Sequence, residues 1–209
     1  MKVFVLTKRM IDIVKDNYDK NNTYKVINAK YTQALKEGYY LEALMITYAL
    51  VEDRLRSFLY FIGLIETNEN NQLYLCEKNK QIIDIIKIKS KKPDKYKFDD
   101  ISSKYKAVNN IVKWVNTEKK LKSKKSYLYT LNYECESLDI AGITSEISKM
   151  RNWLKYRNEV THGLLNKNID SLNKEIENRA REGKQYFDFI SSQVKILKRE
   201  NNIRKFLDL

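Results

Sequence analysis

The chain has one histidine, His162, five residues after an arginine in the run Arg157-Asn158-Glu159-Val160-Thr161-His162. A guanidinium offers several fixed donors to phosphate oxygens. An imidazole takes or gives a proton near neutral pH. With the polar Asn158 beside the arginine, these residue types suit chemistry at a phosphodiester. Cys76 and Cys135 are far apart, without a CxxC pair and with a single histidine to join them. A zinc site is therefore not expected, and neither a metal nor a cofactor is implied. The simplest expectation for the two thiols is a reducing, cytoplasmic setting.

The motif needs a helix to present it. Thr144 and Ser145 are good N-caps, and from there Ile147, Met150, Leu154 and Arg157 recur along one face. Arg157 thus stands where the period asks for an apolar residue. A guanidinium on a packing stripe is costly unless it has a partner or lines a cleft. On a continuous helix a residue five positions on lies about 140° round, so Arg157 and His162 of one chain do not face each other. Either the helix loosens before Gly163, or two copies of the motif meet across a twofold axis and build one composite cleft.

The remaining elements read as helices that could carry this one. With one proline and five glycines in 209 residues, the composition favours one mostly helical domain spanning 1–209. A helix is expected from Lys8 to Tyr18, with a polar turn over Asp16–Thr23. Another fits Tyr24–Lys36, stopped by Gly38. Tyr39–Ile65 is the surest core helix, with Leu44, Tyr48, Val51, Leu55, Phe58 and Ile62 at spacings of three and four. Its charged run, Glu52-Asp53-Arg54-Leu55-Arg56, reads as a solvated face rather than as partners of the motif.

Thr67–Gln72 reads as a loop. A helix is expected around Gln81–Ile88, an exposed connection over Lys89–Asp100, and a helix over Ile101–Asn116. Tyr127–Cys135 fits a short helix or a strand. Asp170–Lys198 carries Leu172, Ile176, Ala180, Gly183, Phe187, Ile190, Val194 and Leu197 in a long seam, read as core packing in preference to a subunit contact. Trp114 and Trp153 read as core.

Forty lysines and arginines against 27 acids leave a net charge of +13. Residues 78–125 hold sixteen lysines and five acids, so most of the surplus sits in a basic insertion rather than a separate domain. Such clustering suits phosphate binding by counterion release, with Lys89, Lys91, Lys92, Lys119, Lys120, Lys122, Lys124 and Lys125 as the expected RNA contacts. Tyr96, Phe98 and Tyr105 lie among them and are candidates to stack on unpaired bases. The first residues hold too short an apolar run for a signal peptide, and no run reaches bilayer-spanning length, so no membrane partner is expected.

The Arg-Asn-x-x-x-His pattern at the end of a helix, in an all-α chain of this size, resembles the HEPN superfamily. Arg157, Asn158 and His162 match its signature of arginine, a polar residue after it, and histidine after four to six residues. The resemblance implies an all-α HEPN-like bundle carrying the lysine-rich insertion. It also implies a metal-independent endoribonuclease that acts as a homodimer on single-stranded RNA, as a toxin or antiphage effector. In that role His162 is the general base or acid, Arg157 neutralises charge growing on the phosphate, and Asn158 orients the histidine or phosphate. Toxins of this type that pair with nucleotidyltransferase antitoxins often carry a tyrosine two residues after the histidine, where this chain has Leu164. The alternative reading is a non-catalytic RNA-binding or adaptor bundle, including an antitoxin-type partner or a defence-system protein.

Overall fold

The computed structural model describes residues 17–67, 73–76, 82, 98, 100–117, 126–163 and 168–209. These form a mostly helical fold: α1 (Asn17–Glu37), α2 (Tyr40–Phe61), α3 (Ile101–Thr117), α4 (Tyr127–Cys135), α5 (Ile140–Gly163), α6 (Ile169–Glu200) and α7 (Asn202–Phe206). Between α2 and α3, β1 (Ile65–Thr67) and β2 (Leu73–Leu75) make a small antiparallel hairpin, with Ile65 opposite Leu75 and Thr67 opposite Leu73. No helix among the described residues is long and apolar enough to cross a membrane.

Helix α2 is the hub. Its most extensive contact is with α6, and α1, α3 and β1 pack on its other sides. Ala43, Leu44, Leu50, Val51, Leu55, Phe58 and Leu59 are buried around most of its circumference, which explains its nearly continuous apolar sequence. The seam of α6 is buried from Leu172 through Leu197, as core packing requires. Helix α5 lies against α3 and α6, and α7 folds back onto α4.

Several boundaries differ from the sequence reading, each for an identifiable reason. Helix α1 begins at Asn17, so the expected turn over Asp16–Thr23 is helical where described. Lys20 and Tyr24 reach Asp53 on α2, and this tertiary contact outweighs the weak helix propensity of the local asparagines. Gly38 does stop α1, at φ +78°, with Tyr39 N–H donating to Ala34 O at 2.8 Å. Helix α2 ends at Phe61 rather than Ile65 because Gly63, at φ +68°, closes it the same way. Leu64 N–H donates to Leu59 O at 3.0 Å, and the chain then leaves as β1.

Tyr127–Cys135 is a helix. The Ser126 hydroxyl accepts from Tyr129 N–H at 3.2 Å, and Tyr127, Leu131 and Cys135 are buried one turn apart. The Tyr127 hydroxyl donates to Ile62 O at 2.8 Å, tying this helix to the end of α2. The expected helix at Lys8–Tyr18 lies outside the described residues except for its last positions, which belong to α1. Of the expected helix around Gln81–Ile88 only Ile82 is described, helical and buried.

The connection expected to be exposed over Lys89–Asp100 is not so at Phe98, which is only 1% exposed. Tyr105 is buried as well, so neither ring is available to stack on bases. Tyr96 lies outside the described residues. Helix α3, within the lysine-rich stretch, contributes Tyr105, Val108, Ile111, Val112 and Val115 to the core. Lys104 there is buried and paired with Glu52 at 2.6 Å, while Lys106 and Lys113 are exposed.

Candidate functional site

Helix α5 starts at Ile140, four residues before the expected N-cap. Asp139 caps it instead, its carboxylate accepting from Gly142 N–H at 2.8 Å. Asp139 N–H in turn donates to Gln193 Oε1 at 3.0 Å, which registers the start of α5 against α6. Ile143, Ile147, Met150, Trp153, Tyr156 and Val160 then face the core. The helix runs unbroken through His162 to Gly163, so it does not loosen before the glycine. Positions 157 and 162 therefore stay about 140° apart on one cylinder, separated by a rise of about 7.5 Å. Positions 158 and 162 are one turn apart on the same face.

Arg157 sits at the edge of the buried face and is itself half-buried. Its guanidinium carbon lies 5.2 Å from the centre of the Tyr48 ring, which comes from α2. That ring is fixed from two directions. It stacks on Trp153 with centroids 4.3 Å apart and planes at 22°, and its hydroxyl donates to Leu154 O at 2.6 Å. Trp153 is locked in turn: its indole N–H donates to Arg179 O at 2.8 Å, and Tyr186 meets it edge-on at 5.6 Å. Burial pushes the Tyr48 hydroxyl well above the ordinary tyrosine range, with Arg157 opposing and Glu52 adding to the shift. The ring under the guanidinium thus stays neutral, and the contact is a cation on an aromatic face.

The apolar stripe anticipated for this helix is therefore real, and its one cation is placed on a rigid aromatic platform. Tyr48 was legible only as a core residue, because nothing local says that an arginine from a distant helix will lie on it. Next along the same end, Tyr156 is buried under Arg179 at 5.1 Å, and burial followed by Glu175 pushes its hydroxyl up to about 12. Trp153 is fully buried, and Trp114 is partly buried against the core, as expected for both.

Of the three expected catalytic residues, Arg157 is placed with its side chain. Asn158 and His162 are placed by the backbone of α5, and their side chains lie outside the description. The expected RNA contacts Lys89, Lys91, Lys92, Lys119, Lys120, Lys122, Lys124 and Lys125 also lie outside the described residues. Glu52 turns to Lys104, and Asp53 and Arg54 turn toward α1, so the charged run of α2 is divided between two neighbours. Among the described residues no group of three or more His, Cys, Asp or Glu side chains is arranged to hold a metal ion. Both cysteines are buried free thiols, and burial raises that of Cys135 to about 12.

Compared with family models, curated proteins and solved structures, the chain finds no match.

Proposed function

We propose that the protein is a metal-independent endoribonuclease of the HEPN type, with Arg157, Asn158 and His162 as its catalytic residues and two copies of the chain forming each active centre. The observation that carries this reading is the setting of Arg157. Arg157 continues the face of α5 that runs from Ile147 through Leu154, and its guanidinium is held over a fixed neutral ring at the edge of the bundle. A guanidinium held this way loses little freedom on meeting a phosphate, which is what transition-state charge stabilisation asks of it.

The unbroken helix supports the two-copy arrangement. Because positions 157 and 162 lie about 140° apart around one helix, a shared phosphate is taken to be met by Arg157 of one copy and the histidine of the other. In the reaction the 2′-hydroxyl attacks the adjacent phosphorus while one imidazole takes its proton. The bond to the 5′-oxygen breaks, and an imidazolium from the other copy protonates that leaving oxygen. The products are a 2′,3′-cyclic phosphate and a 5′-hydroxyl, with no change of oxidation state.

The test is cleavage of labelled single-stranded RNA. Arg157→Ala and His162→Ala each abolish it, with the helical circular dichroism spectrum unchanged. Cleavage persists in EDTA and leaves 2′,3′-cyclic or 3′-phosphate ends. RNA that binds without being cut by the wild type favours the non-catalytic RNA-binding reading, and absence of RNA binding favours the protein-partner reading. Cutting that survives both substitutions removes this site from consideration.

A further inference from the structure

We propose that Lys20, Arg54 and Arg56 form a phosphate-binding site on the α1–α2 face, remote from Arg157, which grips a phosphodiester of a bound RNA strand. The RNA identity of the ligand rests on the function proposed above. The site rests on geometry alone.

All three cations converge on a single carboxylate, Asp53. Lys20 Nζ lies 3.2 Å from it, Arg54 Nη2 2.5 Å and Arg56 Nη2 2.5 Å. The Tyr24 hydroxyl donates to the same carboxylate and accepts from Arg54 Nη2, and the Arg54 guanidinium lies 4.5 Å from the Tyr24 ring centre. Asp53 is the only carboxylate paired with any of the three among the described residues. One negative charge against three positive leaves a surplus of two, held in fixed positions.

The donors are also under-used. Arg54 and Arg56 each bond the protein through Nη2 alone, so the rest of each guanidinium fork carries donors without a protein acceptor among the described residues. The Arg54 Nε is buried with no acceptor. Burial, reinforced by Arg56 and Arg54, lowers the Lys20 ammonium despite Asp53, and burial with Arg56 brings Arg54 down to about 10. Burial is the larger cause of both shifts, and the neighbouring guanidiniums add to it. The site is reachable, because the side chains of Lys20 and Arg56 keep 32% and 37% of their exposure, while Arg54 at 14% forms the floor.

A phosphodiester matches what is missing. It brings a charge that offsets the surplus and planar pairs of oxygens for the guanidinium forks. Arg54 lies six residues beyond Tyr48 on α2, about 9 Å along the axis and about 120° round from the Arg157 platform. The cluster is thus a separate foothold for a strand whose scissile linkage lies at the end of α5.

The experiment measures binding of a labelled single-stranded RNA to the full chain carrying His162→Ala, so that no cutting interferes, as a function of salt. Lys20→Gln with Arg56→Gln is compared with Lys25→Gln and Lys30→Gln, which remove the same charge from exposed positions of α1. Each lost phosphate contact on a single strand lowers the slope of log affinity against log salt by about 0.7, or about fivefold in affinity at 0.1 M salt. The Lys20/Arg56 pair is expected to lower slope and affinity clearly more than the Lys25/Lys30 pair, and inorganic phosphate is expected to compete only when the cluster is intact. Equal effects of the two pairs, with unchanged circular dichroism, reduce the cluster to an internal ion-pair network and overturn the proposal. If the wild type cuts RNA but the pairs behave alike, this site alone fails. If the cluster controls binding but the wild type never cuts, the nuclease reading alone fails, and a wild type that binds no RNA overturns both.

Discussion

Gly183 sits where α2, α5 and α6 meet beneath the Arg157 platform, and Gly183→Ala tests how tightly that junction is built. A Cβ there would lie 2.5 Å from Trp153 Cζ2 and 2.6 Å from Thr47 Oγ1, with Thr47 Cβ at 2.9 Å. Neither neighbour has room to withdraw. Trp153 is held by Tyr48, by Tyr186 and by its bond to Arg179 O, and Thr47 is fully buried with its hydroxyl on Leu44 O at 2.8 Å. Overpacking of this kind costs about 1–3 kcal/mol. Replacing a mid-helix glycine by alanine regains about 1 kcal/mol of helix propensity. Because the clash is with two pinned groups on different helices, the steric term dominates, and the net loss is about 1–2 kcal/mol. For a chain of this size that lowers Tm by about 2–8 °C. Differential scanning calorimetry reads the shift directly, and RNA cleavage well below Tm should fall as well, because the displaced indole carries Tyr48 with it. A variant as stable as the wild type, or more so, would refute the packing described at this junction.

Three further predictions concern named contacts. Tyr48→Phe keeps the ring under Arg157 and loses one buried hydrogen bond, costing about 1 kcal/mol of stability with RNA cleavage nearly intact. Tyr48→Leu loses the ring too and lowers cleavage a further two- to thirtyfold, by about the strength of a cation–π contact; equal activity in the two variants would sink the platform role. Glu134 is buried and accepts from Asn202 N–H at 2.7 Å and Ile203 N–H at 3.2 Å at the start of α7. Burial raises its pKa above the ordinary 4.5, with the two backbone donors opposing. A raised carboxyl contributes stability that is present below the unfolded pKa and is lost as pH rises through the folded one. Urea midpoints of wild type relative to Glu134→Gln should therefore fall as pH rises from about 4.5, and a rise would contradict the assignment. Lys104 and Glu52 pair at 2.6 Å with side-chain exposures of 5% and 36%. Glu52→Ala strands a buried ammonium whereas Lys104→Met leaves a carboxylate in water, so the glutamate variant should unfold at the lower urea concentration.

Much of the fold is legible from the residues alone, because helical burial is a local periodicity. Leu44 through Phe58 and Leu172 through Leu197 repeat at three and four and are buried in α2 and α6. Arg157 is out of place on its own stripe, and that too is visible without coordinates. Helix ends are less legible: Gly63 stops α2 within an apolar run, and Asp139 caps α5 ahead of the more obvious Thr144 and Ser145. What only the tertiary structure decided is which distant group each charge and ring meets. Tyr48 becomes a platform because α5 brings Trp153 and Arg157 against its ring, Phe98 and Tyr105 are core rather than base-stacking rings, and Lys104 among exposed lysines is a buried partner of Glu52. The run Glu52-Asp53-Arg54-Leu55-Arg56 reads locally as a balanced, solvated face. Once α1 lays Lys20 and Tyr24 against it, three cations share one carboxylate. The reason is range: periodicity is written in neighbours three and four residues apart, whereas charge balance and desolvation depend on side chains that only the packed helices bring together.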